Sequence, residues 1–336
     1  MAQKLTVAIL GFGLSGRYLQ APFFLANPNF RLKSILSKNQ NPQEIYPSVQ
    51  VVRDLDNVLN DPEIELVCIS TPNETHFDYA KKALLAGKHV LVEKPMTATV
   101  AEANELIELA KSKSLMLSIF QNRRFDSDFL TVKSVIESGV LGKLLSYEAH
   151  FDRYKPTLNV KKWKEVQGPS NGILYDLGSH LIDQTIALFG SPNKVWGETF
   201  TQRENSEIDD AFDIRLDYQN LKVTLKASLL VREDLPRYIL HGTNGSFVKY
   251  GIDMQEDQLK AGLTPNSADF GVEPSKNWGI LNTDFNGLHF KGNIETLKGN
   301  WAMLFQNLYE AIRNNAELLI KPEEVIEQIK IMEAVK

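Results

Sequence analysis

Short apolar runs alternate with helix-like stretches along the first third of the chain. Leu5–Leu10, Phe30–Leu36 and the β-branched run 64–70 predict buried strands. The helical stretch that follows the third run has Asn73 as a candidate N-cap and Gly87 as a candidate C-cap. Strands that alternate with helices at this spacing indicate right-handed βαβ units, and therefore a doubly wound parallel sheet.

The pattern changes after about Asn122. Longer alternating segments follow, and turn signals such as Asn244-Gly245 separate them, as in antiparallel sheets. One strong helical pattern over 172–192 interrupts these segments. We therefore predict an α/β protein with two domains. Residues 1–122 form a Rossmann domain with a doubly wound parallel sheet, and residues 123–336 form an α+β domain with an open, mostly antiparallel sheet.

Composition and charge narrow the class of protein. The net charge of −5 and the pI of about 5.8 argue against a nucleic-acid or anionic membrane surface. The single cysteine, Cys68, excludes internal disulfides and thiolate metal clusters and fits a reducing compartment, and the six histidines are too scattered to predict a metal site. Since neither a signal peptide nor an apolar run of about 18–20 residues is present, we expect a cytoplasmic protein with no membrane partner.

A glycine-rich stretch directly follows the first predicted strand. Gly11, Gly13 and Gly16 spell G-x-G-x-x-G in the order strand, turn, helix, which is the context of a dinucleotide-binding loop. The alternative is a tight turn that binds no ligand. We predict that the loop binds a pyrophosphate through Gly11, Phe12, Gly13, Leu14, Ser15 and Gly16.

The end of the second predicted strand bears on the choice of cofactor. NAD-binding domains place Asp or Glu there to accept hydrogen bonds from the ribose hydroxyls. In this chain Ser37 and Lys38 follow the strand, and no acid occurs before Glu44. A hydroxyl next to a lysine suits a 2′-phosphate, which favours NADP over NAD. The alternative interpretation of Lys38 is a solvated loop lysine.

Two further positions could carry chemistry. Lys94 lies at the end of a predicted strand, and Pro95 restricts its backbone there, so that the lysine could bind a substrate hydroxyl at the sheet edge. Asp176, His180 and Asp183 share one helix face, where the imidazole could exchange a proton at neutral pH. A solvated lysine and a surface or capping histidine are the structural alternatives.

The segments GFGLSG, TPNETHF, EKP and DLGSHLIDQ, in this order, resemble the Gfo/Idh/MocA family of NAD(P)-dependent oxidoreductases over nearly the whole chain. The resemblance implies that Lys94 orients the substrate hydroxyl, that His180 is the general acid/base, and that Asp176 supports His180. It also implies that the open sheet packs against a partner subunit in a homodimer or homotetramer. The implied nicotinamide side of the cofactor site comprises Thr71, Pro72, Asn73, His76, Glu93, Lys94 and Asn122.

Three more segments, QNRRFDSDFL, HFDRY and HGTNGSFVKYGIDMQE, are similar to the branch that holds NADP-dependent scyllo-inositol dehydrogenases. The implied substrate contacts are Arg123, Arg153, Tyr154, Trp163, Asp176 and His180. Lys164 departs from the arginine that relatives commonly have. We therefore predict a dehydrogenase that transfers a hydride between NADP and a secondary hydroxyl of a cyclic polyol or sugar. The alternatives are a sugar-ketone reductase of the anhydrofructose type and a non-catalytic NADP-binding sensor.

Overall fold

A computed structural model describes residues 3–159, 165–168 and 170–336 of the chain. The strands are β1 Leu5–Leu10, β2 Phe30–Leu36, β3 Gln50–Val52, β4 Leu66–Ile69, β5 His89–Val92, β6 Leu117–Ile119, β7 Leu144–His150, β8 Lys194–Phe200, β9 Ala211–Asp217, β10 Lys222–Ser228, β11 Tyr238–Gly242, β12 Gly245–Lys249, β13 Gly279–Phe285 and β14 Leu288–Ile294. The α-helices are α1 Ala21–Ala26, α2 Asp56–Leu59, α3 His76–Leu85, α4 Val100–Ser112, α5 Ser127–Glu137, α6 Ser179–Phe189, α7 Gln255–Lys260, α8 Ala302–Asn314 and α9 Pro322–Val335.

The first sheet has six parallel strands in the order β3-β2-β1-β4-β5-β6, which confirms the predicted doubly wound sheet. Its central strands are buried on both faces, as the continuous apolar runs predict. Cys68 lies in β4 with no exposed surface, and burial raises the pKa of its thiol well above the usual value.

The described chain forms two compact units, and three segments make up the first. Besides the residues up to Asn122, the first unit contains Gln255–Phe270 and Trp301–Ile326, which the sequence predicts as parts of the C-terminal domain. The reason is an aromatic cluster that includes α8. Phe305 stacks on Phe23, with ring centroids 4.7 Å apart. Apolar burial of this kind holds a distant segment against the Rossmann sheet.

The second unit comprises Arg123–Met254, Gly271–Asn300 and Glu327–Lys336. Its sheet has eight strands in the order β14-β13-β12-β11-β7-β10-β9-β8, and all neighbours are antiparallel except β7 and β10. The predicted open, mostly antiparallel sheet is thereby confirmed. The hairpin of β13 and β14 turns at Asn286-Gly287, both with positive φ, and the strand patterns above do not predict it.

A buried ion pair joins three parts of the second unit. Lys249, the last residue of β12, places its Nζ 2.7 Å from Oε2 of Glu273, and both side chains have no exposed surface. The hydroxyl of Ser127, at the start of α5, donates to the other carboxylate oxygen of Glu273. The Lys249 ammonium also donates to the carbonyl oxygen of Tyr250 at 2.7 Å. The two charges therefore satisfy one another away from water.

None of the helices in the described part of the chain has the length and apolar character that a membrane span requires.

Candidate cofactor and catalytic sites

The carboxyl edge of the six-stranded sheet collects the candidate cofactor residues of the first unit. Four backbone N–H groups just beyond strand ends each donate to the end of a neighbouring strand: Gly11 to Leu36 O at 2.9 Å, Ser37 to Val52 O at 3.1 Å, Ser70 to Leu10 O at 2.8 Å, and Glu93 to Ile69 O at 2.9 Å. The glycine loop therefore lies beside the end of β2, and Lys94 follows β5 at the same edge. Parallel sheets of this type bind their ligands at this edge.

The three glycines of the loop have different surroundings. Gly11 has a φ of +103°, and a Cβ there would lie 2.5 Å from the carbonyl oxygen of Ser70. A Cβ on Gly16 would lie 2.2 Å from the carbonyl oxygen of Gly11. A Cβ on Gly13 would meet no atom within 4 Å. The first glycine thus permits the turn, the third permits close packing, and the second leaves its backbone open to a pyrophosphate, so the loop fits a dinucleotide.

A polar cluster supports the loop from the side of β5. The Ser15 hydroxyl donates to Oε1 of Glu93. Nε2 of Gln20 donates to the Ser15 hydroxyl oxygen and to the same Oε1 of Glu93, each at 3.2 Å. The other carboxylate oxygen of Glu93 accepts from the backbone N–H of Lys94 at 3.2 Å. Burial raises the pKa of the Glu93 carboxyl, while the hydrogen bond from Ser15 and the charge of Lys94 oppose this rise. Glu93 therefore ties the glycine loop to the backbone of Lys94.

His76 joins two other loops at this edge and is fully buried. Its Nδ1 lies 2.8 Å from the carbonyl oxygen of Pro95, and its Nε2 lies 2.9 Å from that of Thr71. Burial lowers the pKa of the imidazole, against the effect of the two carbonyls. Because both ring nitrogens face backbone carbonyls, we expect His76 to position Thr71 and the turn after Lys94, and to act on a cofactor only through them.

The loop before α3 is held by its own side chains. The hydroxyl oxygens of Thr71 and Thr75 lie 2.6 Å apart, and Thr75 donates to the carbonyl oxygen of Pro72 at 2.7 Å. Asn73 opens a 3₁₀ turn over Asn73–Thr75, and the N-cap of α3 is Thr75. The prediction that Asn73 caps this helix is therefore wrong, because the 3₁₀ turn delays the helix start. Its predicted contact with a cofactor stays a prediction.

The end of β2 has no acid, as the sequence shows. Ser37 is buried, and its hydroxyl accepts from the backbone N–H of Gln40 at 3.2 Å. Lys38 is exposed next to it. This turn leaves a hydroxyl and an ammonium group where an NAD-binding domain has a carboxylate.

His180 lies in the second unit, on a helix with an irregular start. The turn Leu174–Gly178 is π-helical and leads directly into α6. Asp176 in this turn is exposed, whereas His180 and Asp183 on α6 are buried. Arg124 donates to the two oxygens of Asp183 through Nε at 2.8 Å and Nη2 at 2.7 Å. This buried bidentate pair fixes α6 one turn away from His180.

Arg124 is a structural residue of this site that the sequence patterns do not single out. It lies beside Arg123 in the 3₁₀ turn Asn122–Phe125, and no local pattern distinguishes the two arginines. The signal that could have drawn attention to it is Asp183, the one acid on α6, which needs a cation if it is buried. The pairing itself spans 59 positions of the chain.

The predicted substrate residues of the second unit fall into two groups. The guanidinium carbons of Arg123 and Arg153 each lie 5.1 Å from the ring centroid of Phe151. Tyr154 is 43% exposed, and its hydroxyl accepts from Arg232 at 2.6 Å. Arg123 and Arg153 therefore meet at one aromatic ring, while Tyr154 pairs with another arginine. The predicted contact Trp163 and the neighbouring Lys164 lie outside the described residues.

In the described part of the chain, no group of three or more His, Cys, Asp or Glu side chains is arranged to hold a metal ion.

We expect His150 to make the stability of the second unit dependent on pH. Its ring nitrogens lie 2.7 Å from Glu148 and 3.0 Å from Asp152, and these carboxylates raise its pKa although burial opposes the rise. The stabilisation is therefore complete below the unfolded-state pKa of about 6.5 and is lost as the pH rises through the higher folded-state value. We expect His150→Gln to abolish this dependence. Urea unfolding from about pH 6 to about pH 9 measures it, and parallel curves for the two proteins would contradict the prediction.

Comparison with known proteins gives matches over almost the whole chain. Two family models match: "Oxidoreductase family, NAD-binding Rossmann fold" over residues 5–121, and "Oxidoreductase family, C-terminal alpha/beta domain" over residues 133–336. The scyllo-inositol 2-dehydrogenase (NADP(+)) IolW of Bacillus subtilis is 39% identical over 98% of this chain and 92% of its own length. The uncharacterized oxidoreductase YhhX of Escherichia coli is 41% identical over 97% of this chain and 94% of its own.

Solved structures agree with the architecture. The Bacillus subtilis protein yvaA superposes with a TM-score of 0.96 at 38% identity, over 99% of this chain and 95% of its own. An oxidoreductase from Bacillus cereus superposes with a TM-score of 0.91 at 39% identity, over 98% of this chain and 95% of its own.

Proposed function

Because the chain belongs to the Gfo/Idh/MocA family of oxidoreductases, we propose that it is an NADP-dependent dehydrogenase of a cyclic polyol or sugar. The reaction is the exchange of a hydride between NADP and a secondary hydroxyl or the corresponding ketone. The observation that carries this proposal is the glycine loop, where Gly13 is open to a ligand while Gly11 and Gly16 have no room for a side chain.

The residues of the first unit suit such a cofactor. Gly11–Gly16 would hold the pyrophosphate, and Ser37 and Lys38 would bind the 2′-phosphate of NADP, which a carboxylate in their place would repel. When bound, the nicotinamide ring supplies a carbon that accepts or releases a hydride. The name of the relative IolW, an NADP(+) enzyme, supports the choice of NADP over NAD.

The catalytic roles are assigned by the family resemblance. Lys94 donates a hydrogen bond to the reacting hydroxyl oxygen and stabilises negative charge that develops there. His180 takes the hydroxyl proton during oxidation and returns it during reduction. Asp176 orients the imidazole and stabilises its charged form. Arg123, Arg153, Tyr154 and Trp163 are the proposed contacts to the remaining substrate hydroxyls.

The open sheet of the second unit supports a proposed homodimer or homotetramer. The register of the strands places Ile239, Val248 and Ile280 next to one another in one row across this sheet, with Trp196 in the same row beyond Arg215, Thr224 and Glu148. Trp196 is 53% exposed and Ile280 is 39% exposed. Apolar side chains in such a row suit contact with a second copy of the chain. The proposed compartment is the cytoplasm, because a lone buried cysteine suits reducing conditions.

The test is the reduction of NADP⁺ and NAD⁺ by the purified protein with a panel of inositols and aldoses, followed by the reverse reaction with ketoses. We expect turnover with at least one polyol and a higher kcat/KM with NADP⁺ than with NAD⁺. Turnover confined to ketone reduction would identify a sugar-ketone reductase instead. Tight binding of NADPH without turnover on any member of the panel would identify a cofactor sensor.

A further inference from the structure

Arg53 lies next to the turn that follows β2. The parallel register pairs Val52, the last residue of β3, with Leu36, the last residue of β2. Arg53 therefore leaves the sheet beside Ser37. Its Nη1 donates to the carbonyl oxygen of Gln40 at 2.8 Å and also to that of Ser37. One guanidinium nitrogen thus holds both ends of the turn Ser37–Gln40.

The remaining donors of Arg53 are available to a ligand. Its Nε and Nη2 have no hydrogen-bond partner among the described residues, and the side chain is exposed. The next residue in the sequence, Asp54, accepts a hydrogen bond from the backbone N–H of Asp56 at 3.0 Å. The guanidinium therefore keeps donors that the turn does not use.

We propose that Arg53 is a specificity-determining residue that binds the 2′-phosphate of NADP together with Ser37 and Lys38. This inference rests on the proposed function, because it concerns the same cofactor. A guanidinium offers two parallel N–H groups to phosphate oxygens, and its charge offsets the doubly negative group. The 2′-hydroxyl of NAD carries no charge, so Arg53 contributes little to its binding. The sequence gives no sign of this role, since Arg53 is 15 positions beyond Lys38 and follows a different strand.

The experiment measures binding without turnover. Titration calorimetry with NADP⁺, NAD⁺, 2′,5′-ADP and 5′-AMP is carried out on the wild type, Arg53→Gln and Lys113→Gln. Lys113 is an exposed cation at the end of α4 and serves as the matched control. We expect Arg53→Gln to weaken the binding of NADP⁺ and of 2′,5′-ADP by roughly 10–100-fold, which is the usual effect of losing a charge-assisted hydrogen bond. Binding of NAD⁺ and 5′-AMP stays unchanged, and Lys113→Gln matches the wild type with all four ligands.

Three results would overturn the proposal. Unchanged binding of 2′,5′-ADP by a folded Arg53→Gln variant excludes contact with the phosphate. An equal loss of affinity for NADP⁺ and NAD⁺ means that Arg53 only holds the shape of the turn. If the wild type binds 5′-AMP as tightly as 2′,5′-ADP, the proposed NADP dependence itself is wrong. The wild-type comparison is therefore made before any variant is prepared. Arg53→Lys adds support if it keeps part of the preference for 2′,5′-ADP, because lysine retains the positive charge but lacks the two parallel N–H donors of a guanidinium.

Discussion

Replacing His180 with alanine is expected to lower kcat by about 10²–10⁴-fold, the usual cost of losing a general acid–base group. Under the proposed function, the imidazole exchanges the proton of the reacting hydroxyl. Without it, water or solvent buffer must perform this transfer less effectively. The measurement is steady-state kinetics with NADP⁺ and the best substrate of the polyol panel. The affinity for NADPH alone should be retained, because His180 is proposed to act on the substrate hydroxyl and is not among the proposed cofactor contacts.

A second histidine of the same unit provides the matched control. His241 is exposed on β11, and its Nδ1 lies 2.7 Å from the hydroxyl of Ser246. His241→Ala should keep the kcat of the wild type. If folded His180→Ala turns over as fast as the wild type, the proposed general acid–base role is wrong.

Replacing Lys249 with methionine is expected to lower the free energy of unfolding by about 3–5 kcal/mol. The substitution leaves the Glu273 carboxylate without its cation in a site where neither side chain has exposed surface. A single hydrogen bond from Ser127 cannot offset the cost of burying that charge. Urea unfolding followed by circular dichroism measures the loss.

The double variant Lys249→Met/Glu273→Met separates the buried charge from the packing. It removes both charges and keeps similar side-chain volumes, so it should regain part of the stability that the single variant loses. Lys82→Met provides an exposed control, since Lys82 pairs with Asp78 on the surface of α3 and should change the unfolding curve little. Equal stability of Lys249→Met and the wild type would contradict the account of this ion pair.

The sequence predicts the first sheet well for a physical reason. Strands such as β1 and β4 are covered on both faces, so each appears as a short, nearly continuous apolar run, which is typical of buried strands in parallel sheets. The glycine loop is equally local, because backbone atoms of the loop itself or of the end of one neighbouring strand leave no room for a side chain at Gly11 and Gly16, while Gly13 faces open space. Family and fold follow from these local signals, and the comparisons confirm both.

Other features depend on partners that lie far away in the chain. The bond between Arg124 and Asp183 and the stack of Phe23 on Phe305 each join positions whose local sequences give no sign of the other. The hairpin of β13 and β14 is not predicted, because β14 is largely exposed on both faces and its apolar and polar residues do not clearly alternate. Asn286-Gly287 is nevertheless a hairpin signal. The roles of Lys94, Asp176 and His180 stay predictions for the kinetic tests.

The buried position of Cys68 has a practical consequence for spectroscopy. Because its thiol has no exposed surface and its raised pKa disfavours the reactive thiolate, thiol reagents should leave the folded chain unmodified. A cysteine introduced at an exposed position such as Lys113 would then be the only site of labelling in the native protein. Fluorophores or spin labels could be attached there without first removing the natural cysteine, and the core of the Rossmann sheet would keep its native packing.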